Sequence, residues 1–73
     1  MKKIKEIITY DSSTIKCSEY NFLTKELLVE FNNGKLYNYT DVENEEYINF
    51  STSDSVGKSF STIIKTKPFQ KLN

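Results

Sequence analysis

Two sets of side chains in this sequence are of types that bind ligands. Tyr37 and Tyr39 are separated by one residue, so on a strand they share a face and offer two rings on which a base can stack, worth about 1–3 kcal/mol per base. In Ser55-Val-Gly57-Lys58, a serine that opens a helix, a glycine with no side chain to block approach and a lysine ammonium converge as at a phosphate-holding helix start. Lys65 follows Lys58 by seven residues, two α-helical turns, and extends a basic ridge along the same face. Each set also has a plainer reading. Tyrosines fill cores with their hydroxyls at the rim, Ser55 caps a helix that Gly57 lets pack close to a sheet, and lysines are commonly just solvated. Both readings stand at this level.

Other chemistries are poorly supplied. The chain has no histidine and one cysteine, Cys17, so the usual nucleophile–base pairs and zinc constellations cannot be assembled within one chain. We therefore expect a non-catalytic protein without metal or cofactor. Glu45 and Glu46 are adjacent on a helix and do not face one another, which suits a solvated first turn. Gly57-Lys58-Ser59 looks like the end of a P-loop, but the glycine required five positions before Gly57 is Thr52. Cys17 reads as a small buried apolar residue.

Ten basic residues balance ten acidic ones, and every basic residue is lysine. A neutral chain without arginine lacks both the positive field and the bidentate fork that duplex DNA binding uses, so no duplex DNA partner is expected. The abundance of lysine, asparagine, isoleucine and serine without alanine, arginine, histidine or tryptophan suits an AT-rich genome, a low-GC bacterium or its phage. In Met1-Lys-Lys-Ile-Lys-Glu-Ile-Ile the apolar run is broken by Lys5 and Glu6, which fits neither a signal peptide nor a membrane span. The expected location is cytoplasmic, the host cytoplasm if phage-encoded, and a free Cys17 suits a reducing compartment. A chain of 73 residues holds one domain and one modest core, with no disulfide or metal to reinforce it. Self-association into a homo-oligomer follows as an expectation.

The elements that must position these residues are legible to different degrees. Leu27 to Tyr39 is two β-rich runs around Asn32-Asn33-Gly34, a hairpin. A two-residue Asn33-Gly34 loop pairs Phe31 with Leu36 and turns Tyr37 and Tyr39 away from Val29. A three-residue loop with Gly34 in the left-handed position instead pairs Tyr37 with Val29 and Tyr39 with Leu27. The second is preferred because it gathers Leu27, Val29, Phe31, Tyr37 and Tyr39 on one face. Before the hairpin, the alternation at Ile15 and Cys17 predicts a strand over about 13–20, with a β-bulge near Ser18 or Glu19 where the apolar parity changes. Residues 4–10 lean to a strand. After it, Glu43 to Phe50 predicts a short helix over about 43–52, and Ser55 starts a second with Val56, Phe60, Ile63 and Ile64 as its apolar stripe. Pro68 ends that helix, and the tail with Phe69 and Leu72 can fold back as an edge segment. The sum is an α+β domain, an antiparallel β-meander of about three strands packed against two short C-terminal helices.

These residues in this order resemble a known family. Ser12-Ser13-x-Ile15, Tyr20-Asn21, Leu27-x-Val29-x-Phe31-x-x-Gly34, Tyr37-x-Tyr39, Val42, Tyr47, Ser55-x-Gly57-Lys58-x-Phe60 and Ile64-Lys65 match the KTSC domain, a resemblance covering about 12–72. It departs at Glu43, where a proline usually follows the valine, and at Ser59, where an aromatic is common. KTSC domains occur at the C-terminus of some lysyl-tRNA synthetases and as stand-alone bacterial and phage proteins, and the resemblance implies an RNA-binding role. The combined expectation is a binding module for a nucleotide or short single-stranded RNA, held by Tyr37, Tyr39, Ser55, Gly57, Lys58 and Lys65. A phage-encoded copy would sequester a nucleotide immune signal. The alternative is a protein–protein interaction module that docks a host or phage protein through the hairpin surface.

Overall fold

The three-residue loop decides how the hairpin presents its tyrosines. In the computed structural model, which describes residues 4–73, Gly34 takes φ +88° and donates its N–H to the Phe31 carbonyl at 2.9 Å. Val29 therefore lies opposite Tyr37, and Leu27 opposite Tyr39, placing both rings on the inner face of the sheet. The strands of this hairpin are β3 (Glu26–Phe31) and β4 (Leu36–Tyr39), which follow β1 (Lys5–Thr9) and β2 (Ile15–Asn21).

Between β4 and the last strand, β5 (Phe69–Lys71), the chain forms α1 (Asn44–Ser51) and α2 (Val56–Ser59), the latter running directly into a π-helical turn at Phe60–Ile64. All strands are antiparallel in the order β1-β2-β3-β4-β5, a meander. The α+β class and the two short helices match the sequence reading, but the sheet has five strands rather than about three. The two beyond that count are β1, within the 4–10 stretch that leans to a strand, and β5, in the tail expected to fold back as an edge segment. In β5 all three residues are exposed, and in β1 Ile7 is 69% exposed, so both strands are held by backbone hydrogen bonding more than by apolar burial. Hydrophobic periodicity reports burial, and these strands bury little.

The bulge sits earlier than expected, between Ile15 and Cys17, with Lys16 as the extra residue. That shift sends Ile15, Ser18 and Tyr20 inward, where all are buried, and puts Cys17 on the outer face, half-buried. Cys17 is thus not a core residue. Its thiol donates to Glu30 Oε1 at 3.5 Å, and burial followed by that carboxylate raises its pKa above the ordinary thiol value.

The core lies between the inner face and the helices, with Ile15, Tyr20, Leu27, Val29, Val42, Phe50 and Ile64 fully buried. Helix α1 covers the β1–β2 side through Tyr47 and Phe50. It starts at Glu43, whose N–H donates to the Glu46 carboxylate at 3.0 Å, and Lys67 pairs with Glu46 at 2.7 Å. In the second helix Val56, Phe60 and Ile64 are buried, with Ile63 packed at the margin, as the predicted stripe requires.

The π turn was not legible. The Lys65 N–H reaches back to the Phe60 carbonyl at 2.9 Å, while the Ser61 and Thr62 hydroxyls donate to the carbonyls of Gly57 and Lys58 at 3.2 and 3.1 Å. Such back-bonding competes with the helical ladder and loosens it. No helix among the described residues is long and apolar enough to cross a membrane.

Candidate functional site

The β4–β5 side of the inner face carries no helix of its own and opens as a groove of about 420 Å³. Tyr37 and Tyr39 form its floor from β4, Phe69 one wall from β5, and Phe31 and Phe60 its inner end. Lys35 and Asn33 reach it from the hairpin loop and Lys65 from the end of the π turn.

Pairing between β4 and β5 builds the aromatic surface. Tyr39 lies opposite Phe69, and Tyr37 opposite Lys71, so all four side chains share a face. The rings of Tyr37 and Tyr39 lie 6.2 Å apart and 21° from parallel, and Phe69 stands 5.6 and 5.7 Å from them. Phe60 meets Tyr39 and Phe31 edge-on at 5.5 and 5.3 Å, fixing the floor against the helix. Phe69 remains 58% exposed, an aromatic face turned to solvent.

Two features of the groove concern polarity. The hydroxyls of Tyr10, Tyr20 and Tyr47 are bonded to Ser18, to the Val42 carbonyl with Asn44, and to Glu6 respectively. Those of Tyr37 and Tyr39 have no hydrogen-bond partner among the described residues, and neither is a buried orphan. Burial followed by the neighbouring Tyr37 raises the Tyr39 pKa, so its hydroxyl keeps its proton as a donor at neutral pH. Lys35 and Lys65 are in no ion pair among the described residues, whereas Lys5, Lys16, Lys25 and Lys67 are each paired with a glutamate. Among the described residues, no carboxylate lines the groove.

The sequence-derived site residues fall into two places. Tyr37, Tyr39 and Lys65 meet in the aromatic groove, where Tyr39 is core, 4% exposed, and Tyr37 is half-buried. Ser55 and Lys58 line a separate depression with Ser59, Thr62 and Ile63. The π turn widens the helix between Lys58 and Lys65, so the two lysines do not form one ridge beside the tyrosines.

Ser55 is the N-cap residue of α2, but its side chain makes no capping bond; instead its N–H is taken by Ser53 Oγ at 3.1 Å. A Cβ on Gly57 would meet Thr14 Oγ1 at 3.4 Å, so its bare face is turned to the β1–β2 turn. Ser55 also borders a polar cleft that contains Asp11 and Asp54.

Sequence reading missed Phe69, Lys35, Asn33 and Phe60 as groove residues. Phe69 was visible as a tail anchor, and its alignment opposite Tyr39 required knowing that the tail adds a strand.

The chain is a small α+β domain of meander topology with an aromatic groove on one side of its sheet. A KTSC domain family model matches residues 11–69, and the chain belongs to the KTSC domain family. The structure is similar to the crystal structure of a KTSC domain protein from Yersinia pestis, with a TM-score of 0.85 and 25% identity, covering 94% of this chain and 99% of that one. No curated protein matches the chain in sequence.

Proposed function

We propose that this protein is a non-catalytic binding module that takes a nucleotide or a short single-stranded RNA in the groove on its β4–β5 side. The observation that carries the reading is the contrast among the five tyrosines: among the described residues, only Tyr37 and Tyr39, those in the groove, leave their hydroxyls without a protein partner. A base stacks on Tyr37 and the exposed face of Phe69, and Lys35 and Lys65 hold phosphate. Ser55, Gly57 and Lys58 lie outside this groove and are not needed for it. The absence of histidine supports binding without turnover. A homo-oligomer in the cytoplasm would close the open side of the groove with a second subunit, and a phage-encoded copy would sequester a nucleotide signal of host defence by binding it.

Calorimetric titration with short oligoribonucleotides and with cyclic nucleotides tests this. We expect heat that is lost in Tyr37→Ala, and absence of heat with every ligand overturns the proposal. The alternative, a protein docked on the hairpin surface, draws support from Ile7, Leu28 and Leu36 on the outer face, which no helix covers. Affinity capture separates the two by what co-purifies: material absorbing at 260 nm, or a stoichiometric protein.

A further inference from the structure

We propose that Asn33 is a site of spontaneous deamidation, held in check by the folded hairpin loop, and that its conversion to a carboxylate weakens anion binding in the groove. The modification stands on the loop alone, and its consequence rests on the nucleotide reading of the groove. Of the asparagines in the chain, Asn33 is the one followed by a glycine. A backbone nitrogen whose residue carries no side chain approaches the preceding side-chain carbonyl without obstruction. Asn33 and Gly34 are both exposed, and the space that a Cβ on Gly34 would take is open, so water and base reach the reacting atoms.

The reaction is a cyclisation followed by hydrolysis. The Gly34 nitrogen bonds to Asn33 Cγ and the Cγ–Nδ2 bond breaks, so that Nδ2 leaves as ammonia with the proton that the Gly34 nitrogen gives up. Water then opens the five-membered imide. Opening at Cγ leaves aspartate, and opening at the Asn33 backbone carbonyl leaves isoaspartate. Ammonia is exchanged for water, and nothing is oxidised or reduced.

The folded loop holds both reacting groups. The Gly34 N–H, which must lose its proton before the nitrogen attacks, donates to the Phe31 carbonyl at 2.9 Å, and Asn33 Oδ1 accepts the Lys35 N–H at 3.1 Å. Both bonds have to open before the ring closes, so the rate follows the open fraction of the loop, roughly a tenth to a hundredth for two hydrogen bonds of ordinary strength. Either product alters the groove. Asn33 lines it together with Lys35 and Lys65, and among the described residues no carboxylate does. Aspartate sets a negative charge among those lysines and weakens their hold on phosphate. Isoaspartate also adds a backbone atom to the loop whose length sets Tyr37 opposite Val29.

The test is a time course of the intact chain at mildly alkaline pH, folded and in urea, with trypsin releasing the 26–35 peptide for mass spectrometry and for chromatographic separation of the aspartate and isoaspartate forms. In urea Asn33 is expected to convert faster than every other asparagine, and in the folded chain about ten- to a hundredfold more slowly than in urea. No conversion at Asn33 in urea, or equal rates in the two states, overturns the proposed site. Asn33→Asp keeps the oxygen that the Lys35 N–H engages and tests the consequence: in calorimetry it is expected to bind GMP about two- to fivefold more weakly than the parent chain. Equal affinity overturns the consequence and leaves the groove reading intact. No heat from the folded parent chain with GMP or with short oligo(U) overturns the groove reading and the consequence together, while the conversion rates still decide the site.

Discussion

The two sides of the inner face use the same residue types to opposite ends. On the β1–β2 side, Tyr20 and Tyr47 stack at 4.2 Å and 9°, Phe22 meets both edge-on, and both hydroxyls are bonded. Helix α1 closes this side, and burial followed by the Glu6 carboxylate drives the Tyr47 pKa far above the ordinary phenol value. On the β4–β5 side the ring centroids of Tyr37, Tyr39 and Phe69 lie 5.6, 5.7 and 6.2 Å apart, Phe60 of the second helix packs edge-on against Tyr39 alone of the three, Phe69 stays exposed, and the two hydroxyls lack partners among the described residues. An aromatic cluster is a core or a surface according to what lies over it, and here one of the two is closed while the other keeps Phe69 exposed and Tyr37 half-buried.

The comparison breaks most visibly in stability. Tyr47→Ala removes a ring that is 1% exposed and opens a cavity, and should cost roughly 3–5 kcal/mol, enough to unfold most of a domain this small. Tyr37→Ala should cost well under half of that in the same urea titration with an unchanged slope. Equal losses would show that the groove is core after all. In ligand binding the order reverses. Tyr37→Ala should weaken affinity by the ~1–3 kcal/mol of one stacked base, read by calorimetry.

How far these regions were legible follows from the same contrast. The hairpin register could be read because Gly34 is the residue that tolerates a left-handed φ and because a slip would scatter five apolar side chains. Helix α1 lies within a residue of its expected limits at each end, since Tyr47 and Phe50 bury on a helical spacing. Strand β5 was read only as a tail able to fold back as an edge segment, without a register that sets Phe69 opposite Tyr39, because a three-residue exposed strand leaves no alternation. The bulge at Lys16 was misplaced because Cys17 is apolar enough to be mistaken for an inward residue, although the inward position belongs to Ser18, paired with the Tyr10 hydroxyl at 2.7 Å. The Lys58–Lys65 ridge failed because a seven-residue spacing assumes an unbroken α-helix, and a π turn interrupts it. The Ser61-Thr62 pair was its only sequence trace.

Smaller effects sharpen the account of the lysines. Lys35→Gln and Lys65→Gln should each weaken nucleotide binding and reduce the slope of log affinity against log salt by about 0.7 for a single-stranded ligand, while Lys67→Gln should leave that slope unchanged. Lys67 acts instead on stability. The hydrogen bond from Lys67 and the Glu43 N–H hold the Glu46 carboxyl below its ordinary pKa in the folded chain. The stabilisation is therefore present above the unfolded value, about 4.3, and is lost as pH falls through the folded value. Lys67→Met should flatten the acid limb of the stability profile and cost at most ~1 kcal/mol at neutral pH, since the pair is partly exposed.

The most direct test of the groove as the binding site is a titration of the isotopically labelled chain with GMP and with short oligo(U), following the aromatic ring resonances by NMR. The account predicts shifts at Tyr37, Tyr39 and Phe69 while Tyr20 and Tyr47 stay in place. Shifts confined to Tyr10 and the residues around Ser55, or no shifts with either ligand, would contradict it.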